Sequence, residues 1–259
     1  MQPPQKPGPW RGLASLFGGF GFLLRSPGAW PVAMVPFVVL VVMWVLFGWA
    51  SVAWLPGFIE GWVEPESTAA TVGTVTLQIL VTMLAVVAAG LLSFSLAQPL
   101  SGPALEHLVR LQERDLGLGE RPQTNFFVDI GRSLQSLLVG YALGLPPLLV
   151  LFVVDILFPP AMVVTVPLKL LVTSYVIAWD LCDYPLTVQG LKVGERVRIV
   201  ARHWSAVLGF SFALALASLV PCLLFLFLPG GVAGAARLVA EIERYERSIG
   251  RWTSPLVRG

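Results

Sequence analysis

Charge, cysteine and histidine are what this chain has least of. Asp, Glu, Lys and Arg make up 12% of its 259 residues, about half the share of an ordinary soluble domain, which excludes a protein that lives wholly in water. The two cysteines, Cys182 and Cys222, form no close-spaced pair. Neither a disulfide framework nor a zinc site is expected, and both read as small hydrophobes. His107 and His203 are the two histidines, and neither has a His or Cys companion nearby, so metal-ligand spacing is absent. A net charge of +2 gives a nucleic-acid partner no electrostatic support. No clustered nucleophile, base and orienting group is visible either, so no enzymatic activity and no cofactor is expected.

What the chain has instead is apolar length. It is 56% hydrophobic, with a mean hydropathy of +0.79. Its uncharged runs are continuous, where a membrane barrel would alternate over about ten residues. They are also too long for strands of a soluble core. The expected class is therefore an all-α integral membrane protein.

Residues 1–9, MQPPQKPGP, predict a disordered cytoplasmic lead without the layout of a signal peptide. Leu13, Leu16, Phe17, Phe20 and Leu24 then recur at three- and four-residue steps, predicting a short interfacial helix with Trp10 at headgroup level. Gly12, Gly18, Gly19 and Gly21 weaken that helix. Ala29 to Ile59 and Ser67 to Leu105 carry no charge and give two long spans. The loop between them holds Glu60, Glu64 and Glu66 and no base. The first thirty residues hold Lys6, Arg11 and Arg25 and no acid, so the positive-inside rule places the N-terminus in the cytoplasm. Gln98 to Pro103 is expected to interrupt the second span as it emerges. The mixed charges of 104–132, including Arg121, read as a solvated amphipathic helix and loop.

Ser133 to Trp179 holds Pro146, Pro147, Pro159, Pro160 and Pro167, so a bent or half-depth hairpin is expected there. Asp155 and Lys169 are placed at its tip, or else deeper as a paired and functional group. Asp180 to His203 is again polar and cytoplasmic. Ser205 to Ala236 is charge-free, and as one straight helix would be roughly 48 Å long, overshooting a hydrocarbon layer of about 30 Å. Two short helices meeting at Pro221 fit that stretch, with one kinked span as the alternative. Beyond it, Glu243 and Arg247 predict a helix with a solvated face. The organisation expected is a lead (1–9), one membrane domain (10–247) and a flexible tail (248–259), with both termini on the cytoplasmic side.

Four ordered motifs in the second half resemble the CysZ/etoposide-induced protein family. They are Ala178-Trp179-Asp180-Leu181-Cys182-Asp183-Tyr184-Pro185, then Leu208-Gly209-Phe210, then Val220-Pro221, then Pro229-Gly230-Gly231-Val232-Ala233-Gly234-Ala235-Ala236. A weaker likeness covers Ala97 to His107, with Glu106 at the family's glutamate. The resemblance implies two long transmembrane helices plus two proline-broken, half-penetrating hairpins, assembled as a homo-oligomer in the bacterial inner membrane. It also implies a permease or channel for a small anion, with sulfate for cysteine synthesis as the default cargo.

That family holds sulfate at a Gly-Leu-Arg opening the first long helix, where free N–H groups and the helix dipole face the anion. The matching positions here are Gly28, Ala29 and Trp30, followed by Pro31, so the arginine is missing; Arg25 lies three residues upstream. Arg25, Gly28, Ala29 and Trp30 are accordingly the candidate substrate residues, and Asp180, Asp183 and Lys169 the candidate coupling or pore residues. Tyr184, Pro185, Gly209, Phe210, Pro221, Pro229 and Gly234 are read as structural. In that reading Asp183-Tyr184-Pro185 is a helix-end turn, and Gly209 and Gly234 permit close helix contact. The missing arginine keeps open a second function, a non-transporting membrane protein that binds lipid or partner proteins.

Overall fold

A computed structural model describes residues 5–61, 68–118, 126–217, 219 and 223–252. Glu64, Glu66, Arg121, Pro221, Cys222 and most of the C-terminal tail lie outside the described residues. The elements in order are α1 (Pro9–Arg25), a 3-10 turn (Pro27–Ala29), α2 (Trp30–Glu60), α3 (Thr68–Asp115) and α4 (Phe126–Leu157). A second 3-10 turn (Pro159–Ala161) leads to α5 (Met162–Val188), α6 (Val193–Arg202), α7 (Trp204–Ala217) and α8 (Leu223–Ser248). No strand occurs among the described residues, and the protein is all-α as its composition requires.

Among the described residues, four helical segments are long and apolar enough to cross a membrane: Pro27–Glu60, Thr71–Asp115, Leu134–Leu157 and Pro159–Val188. Their large side chains face outward, Trp44, Trp49 and Trp54 on α2, Leu84 and Leu91 on α3, Phe152 and Leu157 on α4. Such a surface is stable where the surrounding solvent is itself apolar. The chain divides into two compact units, residues 1–34 with 102–259, and residues 35–101. In the second unit, Gln78 of α3 donates its amide to the Pro56 carbonyl (3.3 Å) and to Glu60 Oε1 (3.1 Å) of α2.

Proline interrupts less than its frequency suggested. α3 runs through Pro99 and Pro103 without the expected break. Pro146 and Pro147 lie inside α4, Pro167 and Pro185 inside α5, and Pro229 inside α8. In the 133–179 region only Pro159 and Pro160 coincide with a break, the turn between α4 and α5. Lipid offers freed backbone groups no water, so a kinked helix that keeps its remaining bonds outcompetes an open one. The charge-free stretch after Ser205 does break: α7 stops at Ala217 and α8 resumes at Leu223. With 14 residues, α7 measures about 21 Å, short of a full crossing.

In the larger unit α1 packs against α7 and α8, α4 pairs with α5, and α5 also touches α7 and α8. Trp179, Leu181, Phe210, Leu214, Val232 and Leu238 fill the centre, joined by Leu105 and Leu108 from the end of α3. The face α1 buries is Gly12, Ser15, Leu16, Gly19 and Phe22, while Phe17 and Leu24 of the expected apolar stripe are exposed, as is Trp10. The glycines that weaken α1 as an isolated helix are what seat it. A Cβ on Gly12 would overlap the Ala206 carbonyl of α7, and one on Gly19 the backbone of Gly230 and Gly234 on α8. Gly209 meets the backbone of Pro9 in the same way, and a Cβ on Gly234 would lie 2.9 Å from Leu16 Cα. Small residues let membrane helices approach backbone to backbone, where dispersion and packing replace the hydrophobic drive that lipid removes.

Candidate functional site

Two places claim attention, the junction of α1 with α2 and the polar foot of α5. At the junction, α1 ends on the exposed Arg25, Gly28 is exposed, and Ala29 is buried. Trp30 is exposed, and its indole N–H donates to the Leu23 carbonyl at 2.8 Å, tying the start of α2 back to α1. Ala29 N–H bonds the Ser26 carbonyl at 2.9 Å, and Trp30 N–H bonds that of Pro27. Pro27 and Pro31 have no N–H to give. Within residues 27–31, Gly28 therefore keeps the one backbone donor outside this turn's own bonds. This helix start offers an anion far fewer donors than an ordinary one.

The second place is built by the box that begins at Ala178. α5 does not stop at Pro185; it continues to Val188. Asp183 does not cap a helix end. Its carboxylate accepts Arg196 Nη1 from α6, Ser136 Oγ from α4 and Thr187 Oγ1 one turn on, the last at 3.2 Å. Arg196 Nη1 also reaches Ser136 Oγ at 3.3 Å, and Trp179 Nε1 donates to the Ser136 carbonyl at 3.2 Å. Three helices are thus fastened through one buried carboxylate. The spacing of Asp183 and Thr187 was readable as one helical turn, but no local signal names Ser136, 47 positions from Asp183, or Arg196, 13 positions from Asp183 and on another helix. Tyr184 is buried within electrostatic reach of Asp180, Asp183 and Glu106, which brings the family-like glutamate region beside the box.

The foot continues along α8. Glu243 pairs with Arg247 four residues on, yet Glu243 is buried rather than solvated and also accepts the Gln189 amide at 3.2 Å. Glu246 takes both oxygens to Arg202 Nη1, at 3.1 and 2.8 Å, and Oε1 lies 2.8 Å from His203 Nε2. An ionised carboxylate only accepts, so Nε2 carries the proton. Burial pushes the His203 imidazole down, against the pull of Glu246. Burial also acts to raise Glu246, but the hydrogen bonds from His203 and Arg202 outweigh it and hold the carboxyl below its usual range. Here α6 meets α7 at 88°, so His203 sits at a sharp corner. Its lone place in the sequence gave no hint of this buried partner.

The family described as Sulfate transporter CysZ/Etoposide-induced protein 2.4 matches residues 15–229. The chain belongs to that family. No curated protein matches it. Within this member of the family, the matched span runs from α1 into α8; it includes the α1–α2 junction and the Asp183–Arg196–Ser136 network, and ends before Glu243, Glu246 and Arg247. Lys169, the remaining candidate, stands apart from them on α5, paired with Asp155 of α4. Of the motif residues, Phe210 is fully buried in the core and Pro229 is buried inside α8.

Proposed function

We propose that this protein is a membrane permease or channel for a small anion, with sulfate as the first cargo to test, and not an enzyme. The observation that carries the reading is the family match across residues 15–229. The short α7 and the break before α8 support it, because half-helices ending at membrane depth are where transporters commonly build ion sites. In this reading α7 and the charge-free start of α8 form a half-penetrating pair within one membrane domain, 10–247. The protein sits as a homo-oligomer in the bacterial inner membrane, with both termini cytoplasmic. Arg25 and Gly28 N–H are the donors at the opening of α2, Ala29 and Trp30 shape the turn, and Asp180, Asp183 and Lys169 are the groups through which ion movement would be coupled.

A second reading has its own observation. The donor-poor stretch at residues 27–31, where two prolines carry no N–H, fits a membrane protein that binds lipid or partners and moves no anion. Purified protein in liposomes, loaded against radiolabelled sulfate, separates the two. Flux above empty vesicles that falls on Arg25→Ala supports the permease. Flux equal to empty vesicles overturns it in favour of the second reading.

A further inference from the structure

A cavity of about 270 Å³ opens at the foot of the larger unit, lined by Glu195, Arg198 and Arg202 of α6, Glu246 of α8, and Arg251 and Trp252 just beyond it. It lies outside the four candidate spans. Both of its carboxylates already have work. Glu195 Oε2 accepts the Lys192 N–H at 3.0 Å, and Glu246 is taken by Arg202 and His203. Arg198 and Arg251 are exposed and pair with no acid among the described residues. The indole Nε1 of Trp252 is shielded from solvent and has no acceptor.

We propose that this cavity is a binding site for a tetrahedral oxyanion, phosphate or sulfate. Three side chains that can only donate surround one space, and each lacks an acceptor among the described residues. A ligand that satisfies them must be all acceptor and negatively charged. Two of the donors are guanidinium forks that bind phosphate and sulfate oxygens in pairs, which suits a tetrahedral oxyanion. The volume is below that of a drug-sized pocket, which suits a small ion or a single headgroup. The same chemistry has two sources, an ion dissolved on this face or the phosphate of an anionic lipid. The site is separate from the α1–α2 junction and does not depend on the permease reading.

The test uses full-length protein in nanodiscs of neutral phosphatidylcholine, titrated with sodium phosphate or sodium sulfate at constant ionic strength, with the thermal midpoint as readout. A second arm replaces part of the lipid with phosphatidylglycerol and adds no ion. Saturable stabilisation by the free ions, weakened about a hundredfold in Arg198→Gln/Arg251→Gln, supports the site and assigns a dissolved ligand. Stabilisation by phosphatidylglycerol alone, lost in the same variant, supports it and assigns a lipid headgroup. Should the double variant not stay monodisperse, Trp252→Phe removes one donor and keeps the ring, and a weakened response in it supports the site equally. A response that is absent, or that is unchanged in the variants, overturns the proposal. Sulfate flux is a separate readout, so the two readings fail independently.

Discussion

Asp183 of α5 and Arg196 of α6 form an ion pair whose side chains are 7% and 3% exposed. Removing one member of a buried pair leaves the other charged with nothing to offset its lost hydration. Arg196→Met and Asp183→Leu are each expected to destabilise the protein by about 3–5 kcal/mol, read as loss of the folded fraction in detergent. The combined variant should recover much of that, because no lone charge remains. If each single variant melts with the parent protein, the pair fastens nothing.

Glycine position on α1 decides the sign of an alanine substitution. Gly19 faces the backbone of α8, so Gly19→Ala forces the helices apart and should cost about 1–3 kcal/mol. Gly21 has nothing within 4 Å of a built Cβ. There Gly21→Ala should instead stabilise by up to about 1 kcal/mol, through helix propensity alone. Parallel melting curves of the two variants test this, and equal shifts of the same sign would refute the glycine-seated contact.

Acid should loosen the corner between α6 and α7. The folded state holds His203 below its ordinary value, so it favours the neutral imidazole. That contribution is complete above the unfolded value of about 6.5 and is lost as pH falls toward the folded one. Glu246, also depressed, loses its contribution in the same direction, below about pH 4.3. Melting temperature is expected to decline from about pH 6.5 downward. His203→Gln keeps a donor but does not titrate, and it should flatten the first part of that decline while leaving the later carboxylate step. A profile unchanged by the substitution assigns the acid sensitivity elsewhere.

Some of this was legible in the chain and some was not, for physical reasons. Ala29–Ile59 and Ser67–Leu105 announce α2 and α3 because lipid needs only length and lack of charge. The break after Ala217 was legible because the charge-free stretch is too long for one crossing. Proline misled at Pro99, Pro103, Pro146, Pro147 and Pro185, where a helix in an apolar surrounding tolerates a lost donor. The glycines of α1 misled in the opposite direction, since propensity counts their entropy and cannot see Gly230 and Gly234 across the contact. Asp183 was singled out as a candidate coupling residue, but its partners Ser136 and Arg196 come from α4 and α6, and a three-helix junction leaves no spacing in the sequence. Glu243 was read as solvated because its pairing with Arg247 is local, while its burial is set by the rest of the fold.

Asp155 and Lys169 put the α4–α5 turn to the sharpest test. Lys169 Nζ bonds Asp155 Oδ2, Thr165 Oγ1 bonds Oδ1, and the ammonium stands 5.4 Å from the centre of the Phe152 ring. Exposed apolar side chains lie on both sides of the pair along the chain, Val153, Val154, Ile156, Leu157, Val166 and Leu171 among them. At an aqueous tip such a pair contributes at most about 1 kcal/mol, and single substitutions should be nearly silent. Inside hydrocarbon a lone charge costs about 2.5–3.5 kcal/mol by insertion scales. Lys169→Met and Asp155→Leu should then each destabilise strongly, while the double variant is rescued by a coupling of about 0.5–3 kcal/mol. Because exposed apolar residues flank both Asp155 and Lys169 along their helices, the second pattern is the one expected in bicelle unfolding measurements. A double variant no better than the worse single one would show that the two charges do not support each other, and would place this turn in water.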